Sequence, residues 1–196
     1  MNSQQGLHEY WKHPTAENLP KKYLSSKRKD RSLFLISILE ALKVKKDASI
    51  LEIGCNSGRN LMYLWKAGYR NLAGIEINPD AVDLMRQKLP YLDANVMVGP
   101  AEELLWGIKR PDVIFTVAVL VHIHPDGDFI FELMKDKTKK YIVTLEDEVS
   151  NKDRHIRRNY QDVFERLGMR QVYYSSAVPG MHVSYCARAF KKVRGQ

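Results

Sequence analysis

Glu52, Gly54, Asn56 and Gly58 alternate through the run Ile50-Leu-Glu-Ile-Gly-Cys-Asn-Ser-Gly-Arg-Asn60. An apolar stretch that ends in a carboxylate and glycines, then passes straight into a helical pattern, delivers a tight turn and a helix N-terminus. Such a turn is a seat for a nucleotide-like ligand. Its details select among ligands. A dinucleotide fingerprint needs glycine at positions one, three and six, and counting from Gly54 puts Asn56 third and Arg59 sixth. A phosphate-binding P-loop ends in Gly-Lys-Ser/Thr, which is missing here. Asn is among the side chains that best tolerate a left-handed backbone, so Asn56 keeps the tight turn open. Twenty-four residues after Glu52, a second apolar stretch, Leu72 to Glu76, also ends in a carboxylate. A carboxylate at that place can accept from both hydroxyls of a ribose. Asn78 and Pro79 then read as the N-cap and first position of a helix.

The acidic-x-Gly-x-Asn-x-Gly pattern resembles motif I of the class I S-adenosylmethionine-dependent methyltransferases, with Asn56 where the family usually has its middle glycine. The resemblance implies S-adenosyl-L-methionine as cofactor. It places Glu52, Gly54, Asn56 and Gly58 in the cofactor loop, Glu76 at the ribose, and Ile77 and Thr116 among the cofactor contacts. Gly99-Pro-Ala-Glu-Glu103 resembles the family's adenine-side loop, with Ala101 and Glu102 at the matching positions. The same residues also read as an acid-enriched helix N-terminus, so both readings stand at this point.

Methyl transfer from a sulfonium is an in-line displacement in which the protein aligns the partners and excludes water. An oxygen or ammonium acceptor must also lose a proton. The segment Leu120-Val-His-Ile-His-Pro-Asp126 resembles one that many small-molecule methyltransferases carry after their fourth strand. His122 is the first candidate base and His124 the second, because an imidazole accepts a proton near neutral pH. The competing reading has His122 packing against the cofactor region or capping the turn. His122, His124 and Asp126 lack further metal ligands elsewhere in the sequence, so no metal is expected. Glu146, Asp147 and Glu148 form an acidic cluster beyond the fifth strand, suited to an amine or a sugar hydroxyl or simply a solvated loop. Arg154, His155, Arg157 and Arg158 follow; they could meet a phosphate, but solvation along a helix face is the expected reading for them.

The elements needed to position these groups are legible as alternating periods. Helical spacing runs from Arg31 to Leu42, from Leu61 to Gly68, from Pro79 to Leu89, from Asp128 to Lys135 and from Ile156 to Leu167. Strands are expected at Ile50, Leu72–Glu76, Asn95–Val98, up to Thr116, Tyr141–Leu145, Arg170–Tyr174 and His182–Phe190. The apolar run before His122 is too long for one strand and splits at Thr116 into a strand and a short helical turn. The short link through Pro179 and Gly180 forces the last two strands antiparallel. The expected fold class is α/β, a doubly wound, Rossmann-like, mostly parallel seven-stranded sheet with a C-terminal antiparallel hairpin. Residues 1–30, with Tyr10, Trp11, Tyr23 and a basic cluster but no sustained period, are expected to form an irregular N-terminal arm with a short helix; the family resemblance implies a lid over the cofactor or a wall of the substrate pocket, and a solvated tail is the alternative. Residues 31–196 are expected to form a single cofactor-binding domain.

At 196 residues, 44% hydrophobic and 28% charged, the chain has the composition of one folded domain. No apolar run reaches the length of a membrane span, and the first residues carry no signal pattern, so a cytoplasmic location is expected. Cys55 and Cys186 are expected as free thiols. The net charge of +8 suits either a polyanion or a small acidic substrate and a soluble surface. Without a basic stripe interleaved with aromatics, a small-molecule substrate is preferred over nucleic acid. The loop and the Val121-to-Asp126 segment look like methylases of surface-sugar biosynthesis, including the pseudaminic-acid type, which implies a sugar or nucleotide-sugar acceptor. An RNA or protein methyltransferase and a non-catalytic cofactor-binding module are the alternatives. Thr116-Val-Ala-Val119 stands where base-amino methylases carry Asn/Asp-Pro-Pro-aromatic, which argues against that chemistry.

Overall fold

The computed structural model describes residues 3–150 and 152–193. The outer ends of the two expected spans, 1 and 2 and 194–196, lie outside the described residues. Seven strands form one sheet: β1 (Ile50–Ile53), β2 (Leu72–Glu76), β3 (Ala94–Val98), β4 (Val113–Val117), β5 (Tyr141–Asp147), β6 (Met169–Ser175) and β7 (Tyr185–Lys192). Their order is β3-β2-β1-β4-β5-β7-β6. The first five pair in parallel, whereas β7 runs antiparallel to both β5 and β6. This is the α/β Rossmann-like sheet expected from the alternating pattern.

The period of two along each strand divides the core. Leu51 and Ile53 face a cluster with Ile114, Phe131, Tyr160 and Phe164, under α5 (Ala101–Leu104), α6 (Phe129–Lys137) and α7 (Tyr160–Arg166). Ile50 faces the opposite cluster, with Leu35, Ile38, Leu61 and Leu64 from α2 (Lys29–Ala41) and α3 (Arg59–Lys66). Each such side chain removed from water contributes roughly 1.5–3 kcal/mol before entropy is counted. A smaller cluster of Val82, Met85 and Leu89 seats α4 (Pro79–Lys88), whose N-cap Asn78 accepts from the Ala81 amide at 3.3 Å.

Two expectations about element boundaries change. The fifth strand continues past Leu145 to Asp147, so Glu146 and Asp147 are fully buried strand residues and not part of a solvated loop. The helix expected from Ile156 begins only at Tyr160, where the Asn159 side chain accepts from the Gln161 and Asp162 amides. Upstream of it Arg154 has φ 66°, which no helix accommodates.

The N-terminal residues contain helix α1 (Gln4–Lys12), capped by Ser3, whose hydroxyl accepts from Gly6 N at 3.1 Å. Three short 3-10 turns follow at Ala16–Asn18, Pro20–Lys22 and Ser26–Arg28. Leu7 is buried. Gln4, Leu7, His8 and Trp11, at helical spacing, lie on the face toward the sheet's C-terminal edge.

Candidate active site

The strand order reverses between β1 and β4, and a cavity of about 490 Å³ opens at the carboxyl ends of the strands there. Of the expected cofactor residues, Glu52, Gly54, Asn56, Glu76, Ile77, Ala101 and Glu102 line it, and so do both His122 and His124. Gly58 and Thr116 do not. Thr116 is fully buried within β4. Gly58 stands behind the loop with φ 76°, and a Cβ added there would lie 2.5 Å from Met85 Sδ. A glycine is needed there for the packing of the loop onto α4.

The turn after β1 is tied by main-chain bonds from Gly54 N and Cys55 N to the Ile75 carbonyl, at 2.7 and 3.1 Å. Gly54 has φ 71°, and a Cβ there would meet Val119 Cγ2 at 2.4 Å, so only glycine fits. Asn56 has φ 47°, the left-handed conformation expected of it. Its amide donates to Glu76 Oε2 at 2.7 Å, and the Asn78 amide donates to Oε1 at 2.9 Å. Burial raises the Glu76 carboxyl, while these backbone amides pull it back. Glu52 is more deeply set. Asn60 Nδ2 donates to its Oε1 at 2.6 Å, but Oε2 is buried with no partner, and burial pushes the carboxyl up to about 8. A buried carboxylate oxygen without a donor, at the cavity wall, suits a cationic group of a ligand. S-adenosylmethionine fits this donor and acceptor set: Glu52 for its ammonium, Glu76 for its ribose.

Glu102 accepts from His8 Nε2 at 3.1 Å and Gln4 Nε2 at 3.5 Å, so α1 is latched to the wall where the adenine-side loop was expected. The Trp11 ring lies 4.6 Å from His122, and His122 is 5.0 Å from His155, centroid to centroid. His122 Nδ1 is 2.9 Å from the Arg154 carbonyl. The carbonyl can only accept, so Nδ1 carries the proton and Nε2 keeps its lone pair. Burial lowers the His122 imidazole to about 4, against the Arg154 bond. The ring is therefore neutral at pH 7 and only weakly basic, which corrects its expected standing as a base near neutral pKa. His124 Nδ1 lies 3.2 Å from both the amide and the carboxylate Oδ2 of Asp126.

The acidic cluster after Leu145 separates into three roles. Glu146 accepts from Val119 N at 3.0 Å and Val121 N at 3.4 Å, clamping the turn after β4. Burial raises it to about 7 against those bonds. Glu148 pairs with Arg188 at 2.9 Å. Asp147 would be raised by burial, but Ser150, Ser184 and the Val149 amide donate to it and hold it at about 2. Ser150 Oγ lies 2.5 Å from Asp147 Oδ2 and 2.7 Å from His155 Nδ1, and Ser184 Oγ lies 2.9 Å from His182 Nδ1. One buried anion thus orients two histidines that line the cavity. Arg154 and His155, expected on a solvated helix face, belong to the cavity wall, whereas Arg158 donates to the Ile123 carbonyl at 2.9 Å and pairs with Asp128.

The cavity wall also includes His8, Trp11, Tyr23, Arg31, His182 and Tyr185, none of which was a candidate from sequence. The usable signal was in the arm, where Gln4, Leu7, His8 and Trp11 share one helical face.

Residues 50–140 match the family model described as a methyltransferase domain. No curated protein matches the sequence. Among solved structures, the chain is similar to a magnesium protoporphyrin IX methyltransferase from Synechocystis with bound S-adenosylhomocysteine, at 12% identity and TM-score 0.74, covering 97% of this chain and 100% of that one. It is also similar to a SAM-dependent methyltransferase from Aquifex aeolicus, at 17% identity and TM-score 0.69, covering 89% and 97%. A third is the 1,6-didemethyltoxoflavin-N1-methyltransferase of Burkholderia thailandensis, at 17% identity and TM-score 0.64, covering 85% and 78%. The loop motif and the sheet order agree with that match: residues 50–140 carry the methyltransferase domain, on the α/β fold that these solved structures share.

Proposed function

We propose that the enzyme methylates a small molecule, with a sugar or nucleotide-sugar as the acceptor class, inside the cavity that α1 covers. The observation that carries this reading is the cover itself. Leu7 is buried, Trp11 packs on His122, and the bonds from Gln4 and His8 to Glu102 hold α1 across the strand ends, leaving about 490 Å³. A cavity of that size falls in the range of small-molecule sites and is closed to a folded polynucleotide or protein surface.

When bound, S-adenosylmethionine supplies a methyl group on an activated sulfonium. The chain's residues bind and orient. In this reading Glu76 accepts from the ribose hydroxyls, the Ile77, Ala101 and Glu102 edge meets the adenine, and Glu52 faces the ammonium. Residues 3–30 act as the lid, excluding water through Trp11 and Leu7. His122, neutral and with Nε2 available, accepts a hydrogen bond from the acceptor group, positions it and takes its proton as the acceptor is methylated, while alignment supplies most of the acceleration. The turnover of methyl-labelled S-adenosylmethionine tests the assignment. Label should pass to low-molecular-weight products of a metabolite extract that includes nucleotide-sugars. Transfer to an RNA fraction instead would refute it.

A further inference from the structure

Charge in the cavity is arranged unevenly. Three of its acids are engaged from within the protein: Glu76 by two backbone amides, Glu102 by Gln4 and His8, and Glu52 through one oxygen by Asn60, while Asp153 lies exposed at the rim. Its cations are not. Among the described residues, no carboxylate lies within ion-pair distance of Arg28, Arg31, Arg59, Lys152 or Arg154. Arg59 is occupied by neutral acceptors, the Ser32 hydroxyl at 3.1 Å and the Tyr23 carbonyl at 2.9 Å. Arg31 and Arg154 are different. Arg31 reaches the Gly180 carbonyl at 3.0 Å through Nη2, yet its Nε is buried with no acceptor. Arg154 has its guanidinium 4.3 Å from the centre of the Tyr10 ring, and its Nε is also buried with no acceptor. Neither guanidinium has a counter-ion among the described residues, so two positive charges on the wall of one cavity are left for an anionic ligand.

The cofactor can satisfy only part of this. S-adenosylmethionine brings one carboxylate, but also a sulfonium and an ammonium, so its binding adds net positive charge and leaves the wall's arginines without a full complement of anions. Arg154 sits beside His122 and His155, on the segment after β5, away from the Glu52–Glu76 side that suits the cofactor.

Resting on the methyltransferase reading above, we infer that the acceptor is an anion, a small molecule bearing a carboxylate or phosphate that Arg154 binds, with Arg31 adding to the field from α2. The planar guanidinium, stacked on Tyr10, offers two parallel donors to an oxyanion, which a lysine at the same place could not.

Calorimetry on the protein loaded with S-adenosylhomocysteine tests this, using inorganic pyrophosphate and succinate as separate probes. At least one should bind, and Arg154→Gln should weaken it roughly ten- to a hundred-fold. Arg154→Lys should recover only part of the loss. Lys139→Gln, an equal change of charge at an exposed site on the opposite end of β5, should leave the probe's affinity within about two-fold. S-adenosylhomocysteine affinity should be the same in all four proteins. Preference for pyrophosphate points to a phosphorylated acceptor, and preference for succinate to a carboxylic acid. If S-adenosylhomocysteine binds but neither probe does, or if Arg154→Gln and Lys139→Gln lose equally, the anion assignment is overturned while the cofactor reading stands. If the wild type does not bind S-adenosylhomocysteine, both fall.

Discussion

The two halves of the cavity are built by different means. On the β1–β2 side, ligand-facing groups come from strand ends and the residues that directly follow them: Glu52, Gly54, Asn56 and Glu76 are fixed by main-chain bonds across neighbouring parallel strands. On the far side, α1, the turn after β4, the segment after β5 and the link before β7 each contribute side chains, four of them from α1 alone. Those side chains are held by one another, through Trp11 on His122 and through Asp147 to His155 and His182. A seat made of backbone tolerates little change and is specific to one ligand. A wall made of side chains from four segments can change residue by residue, and acceptor chemistry can diversify there while the cofactor stays constant.

The largest test of that contrast is Gly54→Val. A β-branched residue at φ 71° with Val119 already 2.4 Å from its Cβ position must displace the turn. Affinity for S-adenosylhomocysteine should fall beyond about a hundred-fold by calorimetry. Affinity kept within a few-fold would mean that the backbone seat is not the cofactor's.

Glu76→Ala comes next. Removal of an acceptor that meets the ribose with charge-assisted bonds should cost roughly ten- to a hundred-fold in S-adenosylhomocysteine affinity, with the thermal transition still cooperative. Unchanged binding would place Glu76 outside the cofactor's reach and blur the division between the halves.

The smallest effect on the cofactor is expected from Asp147→Asn, which belongs to the other half. S-adenosylhomocysteine affinity should stay nearly constant, but the acid limb of stability should change. The folded-state carboxyl is held below its unfolded value, so its stabilisation is present above about pH 4 and is lost as pH falls toward about 2. The wild type should lose thermal stability across that window, and the Asn variant should be less stable at neutral pH and show a shallower loss. Identical acid limbs would show that Asp147 is no anchor for the histidines.

Sequence spacing revealed the backbone half well. Glu52 and Glu76, the strand order they imply and the left-handed turn at Asn56 all follow from local pattern, because a strand end and the loop after it are contiguous in the chain. At Gly58 the chain does not reveal that Met85, 27 residues on, fills the space behind it. The side-chain half was mostly hidden. Glu146 looked like a solvated acid because strand length cannot be read past Leu145, and only the pairing of Glu146 with Cys186 and Asp147 with Tyr185 reveals that β5 continues. Arg154 and His155 followed a helical pattern, but Asn159 supplies a cap inside it, and the residues before that cap were free to turn toward the cavity. His122 was placed correctly on the rim, yet its weak basicity depends on burial by Trp11 and His155 from remote segments.

The contact between Gly54 and Val119 also limits how the sequence can drift. Val119 is itself pinned by the Glu146 carboxylate on its amide, so it cannot retreat from an added methyl at position 54. The harm done by Gly54→Ala should therefore depend on which residue occupies 119. In a Val119→Ala background the steric part of the penalty disappears and only the cost of the left-handed backbone persists, so the two substitutions should be strongly non-additive. Positions 54 and 119, 65 residues apart in the chain, share one small volume and should change as a pair among descendants of this sequence.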